Sequence, residues 1–164
     1  KRSEGLIFKI CYQFHKFLTL AFTGQSIKFG NFTCLSKSTV KKLLNEKATW
    51  NSFSGSLKKT DSDLISMPSI RGKRYFGPSK MSLYNLAIHS FSIIAVFKYQ
   101  VFLRSTFMII ILSFLTKTLG MLALSAQILL IFFNLIIFTV SIRENEKKLL
   151  TSDSNILDED KILH

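Results

Sequence analysis

The apolar positions of this 164-residue chain gather in its second half. Met121–Ile142 is a run of 22 residues without a charge. As a helix it is about 33 Å long, enough to cross a bilayer. Ahead of it, Ser105–Leu115 is apolar over only 11 residues, and Thr116-Lys117-Thr118-Leu119-Gly120 predicts a tight turn between the two. The pattern predicts a hairpin. Its first arm crosses only if it begins near Val101 with Arg104 snorkelling to the surface; the alternative is a short or re-entrant arm. Gln127 and Asn134 are seven residues apart and so share a face, pointing at the first arm or at another subunit.

Helical spacing recurs earlier. Ile7, Ile10, Cys11, Phe14, Phe17, Leu18 and Ala21 fall on one side of a helix over 6–22, with Lys9, Gln13 and Lys16 on another. Such a helix packs on a sheet or lies on a membrane, with His15 at its edge. Ser82–Leu103 predicts a second helix in which Asn85, His89, Ser92 and Tyr99 form one narrow polar stripe, a pattern suited to a membrane interface. Gly30–Leu35 reads as a turn into a short strand. Ser36 or Ser38 caps a helix over roughly 38–46 with Val40, Leu43 and Leu44 inward. Trp50–Lys59 is polar and rich in Gly and Ser. Leu64–Ser69 reads as a strand, and residues 70–81 as a basic loop.

Charge divides the chain. Residues 1–104 hold 17 Lys and Arg against four acids, residues 105–142 hold only Lys117, and residues 143–164 hold four bases against six acids. Cations flank both outer ends of the hairpin (Lys98 and Arg104; Arg143, Lys147 and Lys148), which predicts that both ends are cytoplasmic. Nucleic acid is the other usual partner of a basic chain, but no helix-turn-helix, zinc spacing or RNP-type aromatic motif accompanies the charge. Cys11 and Cys34 have no C-x-x-C partner, and read as small buried hydrophobes in a reducing compartment. No signal peptide is visible, and the start at Lys1 suggests a fragment or a processed piece.

The candidate chemistry lies just ahead of the second helix. Arg71-Gly72-Lys73-Arg74-Tyr75-Phe76-Gly77-Pro78-Ser79-Lys80 brings four cations, glycines and a serine into ten residues. Arg forks give bidentate bonds to phosphate oxygens, Lys adds point charge, and Gly77 lets the backbone approach a ligand. Arg71, Lys73, Arg74, Gly77, Ser79 and Lys80 are therefore candidate phosphate-binding residues at a lipid surface. Asp61-Ser62-Asp63 matches D-x-D but sits in a polar stretch and reads as surface. No catalytic residue is assignable, and no metal ligand set is visible.

Taken in order, Gly30-Asn31-Phe32, Trp50-Asn51, Pro68, the 71–81 block, Leu86, His89, Val96-Phe97, Arg104 and the apolar hairpin resemble the C-terminal half of a family 2 glycosyltransferase. The similar branch is the membrane-anchored one that includes the polyprenyl-phosphate sugar transferases. The resemblance covers roughly residues 1–142. It implies an α/β fold class: the C-terminal part of a GT-A fold, followed by an interface helix and a transmembrane hairpin. It implies Asn31 and Trp50 on the acceptor side, and the basic loop facing the donor diphosphate or the lipid phosphate. It implies Mg or Mn in the full-length enzyme, on a D-x-D of the nucleotide half, with no metal held by this chain. Many relatives carry Asp where Asn31 stands. Asn31 takes no proton at neutral pH, which disfavours a hydroxyl acceptor more than an ionised phosphate.

The resulting expectation has four parts. Residues 1–81 form the C-terminal part of a transferase domain, 82–104 an interface helix, 105–142 a transmembrane hairpin and 143–164 a charged cytoplasmic tail. The expected function is part of an enzyme moving sugar from a nucleotide sugar to polyprenyl phosphate or another membrane acceptor. The expected location is the cytoplasmic face of the inner or plasma membrane. The expected partners are donor, lipid acceptor, membrane and, through the transmembrane helices, a homo-oligomer, but not nucleic acid. The alternative is a small basic membrane anchor that binds anionic lipid without catalysis.

Overall fold

The computed structural model describes residues 6–27, 32–61, 64–65, 67 and 82–152. All regular structure among them is helical. The order is α1 (Leu6–Thr23), α2 (Lys37–Leu44), a 3-10 turn (Lys47–Trp50), α3 (Phe53–Thr60), α4 (Leu83–Ala95), α5 (Lys98–Leu119), α6 (Met121–Ser141) and α7 (Glu146–Leu150).

This corrects the α/β expectation: the described residues contain no GT-A strand. Residues 32–35, expected as a strand, have no regular structure, and Phe32 is fully exposed. A lone strand leaves its backbone donors and acceptors unpaired, and no second strand is available among the described residues to pair them. Of the strand expected at Leu64–Ser69, residues 64, 65 and 67 are also irregular, and the others lie outside the described residues.

The hairpin is longer and sharper than its sequence suggests. α5 has 22 residues and runs through Thr116–Leu119 without a break. Its chain reversal needs one residue, Gly120, whose φ of +53° belongs to glycine and whose N–H donates to Thr116 O at 2.8 Å. α5 and α6 are both long and apolar enough to cross a membrane, with mean hydropathies of 1.5 and 2.4. At about 1.5 Å per residue they measure roughly 33 and 32 Å. Fully buried Ala123 lets the two backbones approach, and Gln127 Nε2 donates to Ser113 Oγ at 3.3 Å, so Gln127 does face the first arm. Asn134 instead donates to Leu130 O of its own helix at 2.8 Å.

The helix expected over 82–103 is two helices. α4 stops at Ala95, Val96 and Phe97 form a buried turn, and α5 begins at Lys98. The polar stripe is therefore split: Asn85 and His89 are exposed on α4, Ser92 is buried, and Tyr99 belongs to α5.

Two apolar clusters meet at the foot of the hairpin. In one, Phe22 of α1 joins Ile94 and Ala95 of α4, Val101 of α5 and Ile137 of α6. Phe133 links them, its ring 4.4 Å from that of Phe22 and edge-on to Phe91 at 6.3 Å. In the other, Ala48 of the 3-10 turn packs on Val96 and Phe97. α1 packs through its C-terminal half. Cys11 lies beyond that half and is exposed, as is Cys34 in the irregular segment, contrary to the expectation of buried thiols.

Candidate functional site

Beneath the hairpin lies a layer made of α2, the 3-10 turn, α3 and α7. Each of its first three elements starts on a side-chain cap. Ser36 Oγ accepts from Thr39 N, a Glu46 carboxylate oxygen from Ala48 N, and Ser52 Oγ from Gly55 N. α2 buries Thr39 and Leu43, while Val40 and Leu44 are 40% and 45% exposed, so the expected inward set is only one-third right.

α3 was legible only as a polar stretch. Ser54, Gly55 and Ser56 are all buried in it, and Gly55 stands in close contact with the end of α4. A Cβ on Gly55 would stand 2.9 Å from Val96 Cγ2 and 3.3 Å from Ile93 O. The layer is tied to the hairpin by polar contacts. Asn51 Nδ2 donates to Val140 O near the end of α6 at 3.1 Å. Lys98, at the start of α5, bonds Glu144 just past α6 at 2.8 Å, and both side chains are largely buried. Lys47 pairs with Glu146 of α7 at 2.9 Å, and that hydrogen bond, with the Glu146 charge, raises the Lys47 pKa.

The predicted site residues divide on this frame. Arg71, Lys73, Arg74, Gly77, Ser79, Lys80 and Asn31 lie outside the described residues. Trp50 is described: it ends the 3-10 turn, 42% exposed, next to the tethering Asn51. Asp61 caps the end of α3 and accepts from Thr39 Oγ1 at 2.9 Å, so its carboxylate already has a structural role. Asp63 is outside the described residues, and no group of three His, Cys, Asp or Glu among the described residues could hold a metal.

Sequence reasoning missed Asn51 as a tether and Glu144 as the partner of Lys98. The cations flanking the apolar run hinted at the second, but nothing in the sequence marked the first. It also left His15 as an edge residue. His15 Nδ1 lies 3.4 Å from Thr19 Oγ1, whose hydroxyl donates to His15 O, and burial, then the nearby His89, lowers the His15 pKa.

Among the described residues, α4 is the element that follows the basic segment in sequence. Ser82 caps α4 by accepting from Asn85 N at 3.2 Å, and α4 packs along α6 through Phe91, Ile94 and Ala95. No protein-family model, curated protein or solved structure matches the chain.

Proposed function

We propose that this chain is the membrane-docked, acceptor-side part of a family 2 glycosyltransferase that moves a sugar from a nucleotide sugar to polyprenyl phosphate or a similar lipid acceptor. In this reading α5 and α6 span the inner or plasma membrane, and both outer ends of the hairpin and the basic segment are cytoplasmic. The observation that carries the proposal is the place of residues 71–80 in the sequence, just ahead of α4. Ten residues bearing four cations end two residues before the Ser82 cap, and α4 is bound to the foot of the hairpin. Clustered cations this close in sequence to a helix packed on the hairpin suit anionic lipid headgroups.

The chemistry suits a phosphate acceptor. A lipid phosphate is already ionised, so its oxygen attacks the anomeric carbon without a strong base, and Asn31 is no obstacle. The bond from that carbon to the nucleotide diphosphate breaks with its electron pair going to the leaving group, and configuration inverts. Arg71 and Arg74 suit bidentate bonds to phosphate oxygens, with Lys73 and Lys80 adding charge and Ser79 a hydroxyl. The contribution is positioning and charge stabilisation. The proposal covers the acceptor side. The resemblance assigns the donor and its Mg or Mn to the nucleotide half of such enzymes.

The test is lipid binding by the chain in nanodiscs. Undecaprenyl phosphate should bind and undecaprenol should not. Arg74→Ala should weaken binding about ten- to a hundredfold, the value of one charged hydrogen bond, while Lys58→Ala changes it little. Equal binding of phosphate and alcohol, or equal losses at positions 58 and 74, would favour a general basic anchor and refute the proposal.

A further inference from the structure

We infer that α1 is a third bilayer element, with its Ile10–Phe14–Phe17 stripe lying among the acyl chains of the leaflet that the hairpin enters. This rests on the reading of α5 and α6 as membrane spans.

α1 has three distinct sides. Leu18, Ala21 and Phe22 pack on the hairpin and α4. Tyr12 and Lys16 occupy another side, the Lys16 ammonium 4.8 Å from the Tyr12 ring centre. Between them Ile10, Phe14 and Phe17 are 61%, 60% and 66% exposed, and Leu20 beside them 54%. Exposed Gln13 borders Ile10, Phe14 and Phe17; the rest of this surface is apolar and calls for a cover.

The cover is identified by continuity. Phe14 and Leu18 line a groove of about 720 Å³ with Phe91 of α4, Ile111 of α5, and Leu129 and Phe132 of α6. Ile111, Leu129 and Phe132 are exposed on the hairpin's outer surface. Lipid chains that cover those three residues also reach Phe14, with no polar boundary between. The backbone of α1 is suited to such a place. The hydroxyls of buried Thr19 and Thr23 turn back to His15 O and Thr19 O, at 2.8 and 2.5 Å, and need no water. With Lys9, Gln13, His15 and Lys16 in its sequence, the helix is too polar to cross. It runs up the side of the hairpin, from Ala21 beside Arg104 to Phe14 in the groove with Ile111 and Leu129, with a basic side and an aromatic side.

Depth-dependent quenching tests this in the full chain. In a Cys11→Ser/Cys34→Ser background, single cysteines replace Tyr12, Phe14, Phe17 and, on the hairpin, Leu135. Each is labelled with bimane and reconstituted in nanodiscs containing doxyl-labelled phosphatidylcholine. All four residues are exposed, so the substitutions leave the packing intact. Positions 14, 17 and 135 should be quenched several-fold more strongly than position 12. Quenching at 135 with 14 and 17 no different from 12 would overturn the inference while leaving the hairpin in the membrane. Absence of quenching at 135 as well would overturn the membrane reading itself. Positions 14 and 17 shielded from aqueous iodide yet unreached by doxyl lipid would show a protein partner on the stripe, and would equally overturn it.

Discussion

Arg104 Nη1 donates to Ala21 O across 3.1 Å, joining the last turn of α1 to α5. Ala21 O is one of the carbonyls that a helix end leaves unpaired, and Arg104 satisfies it from another element. The chain then turns at Gly24, whose φ is +72°, and a Cβ there would stand 2.5 Å from Arg104 Nη2. Glycine suits the turn by its conformation, and any Cβ there would also push the guanidinium aside. Arg104→Ala should cost about 1 kcal/mol, since the bond is solvent-exposed, and should speed proteolysis within α1. Gly24→Ala should cost at least as much by straining the turn and displacing Arg104. Thermal unfolding and limited trypsin digestion in mild detergent check both. A Gly24→Ala protein as stable as the parent would show that this clasp does not hold α1.

The α3–α4 contact makes a second prediction. Gly55→Val should push α3 from α4 at a cost of about 1–3 kcal/mol, because Val96 Cγ2 and Ile93 O leave no room for a larger side chain. Gly55→Ala combined with Val96→Ala should recover part of the loss of Gly55→Ala alone. The measurement is a double-mutant cycle on chemical denaturation in detergent. Strict additivity would mean that the two residues do not meet as described.

Acidification should loosen α1. Burial, then the charge of His89, places the His15 pKa below its ordinary 6.5 in the folded chain. The unfolded chain therefore binds more protons between the two values, and stability decreases as pH is lowered through that window. The stability linked to neutral His15 is complete above the unfolded value and lost as pH falls through the folded one. His15→Gln should flatten this part of the stability–pH curve. Melting temperatures of the parent and His15→Gln chains from about pH 5 to 8 test it. Parallel curves would contradict it.

The apolar runs were readable because a span needs only length and the absence of charge. Helix α1 was readable from its spacing: 6–22 expected, Leu6–Thr23 observed. The ends of the two apolar helices were not. Arg104 reads as a boundary, but its guanidinium reaches the end of α1, so α5 passes through it and begins at Lys98. α3 was unreadable for the opposite reason. Ser54, Gly55 and Ser56 are poor helix formers, and the helix is held by packing, with Gly55 fitted against Val96 and Ile93. The strand at Gly30–Leu35 failed because a strand signal depends on a partner the local sequence does not contain. Of the candidate site, the residues that hold its frame were invisible, since Asn51 meets Val140 across 89 positions of sequence.

The central claim, that α5 and α6 form a membrane-crossing hairpin with its basic layer on one side, is tested most directly by cysteine accessibility in intact cells. In the Cys11→Ser/Cys34→Ser background, single cysteines replace Lys41 on α2, Thr118 near the Gly120 turn and Leu150 on α7, all exposed positions. An impermeant maleimide should label position 118 from outside, and positions 41 and 150 only after permeabilisation. Position 118 reacting from the same side as 41 and 150 would contradict the account.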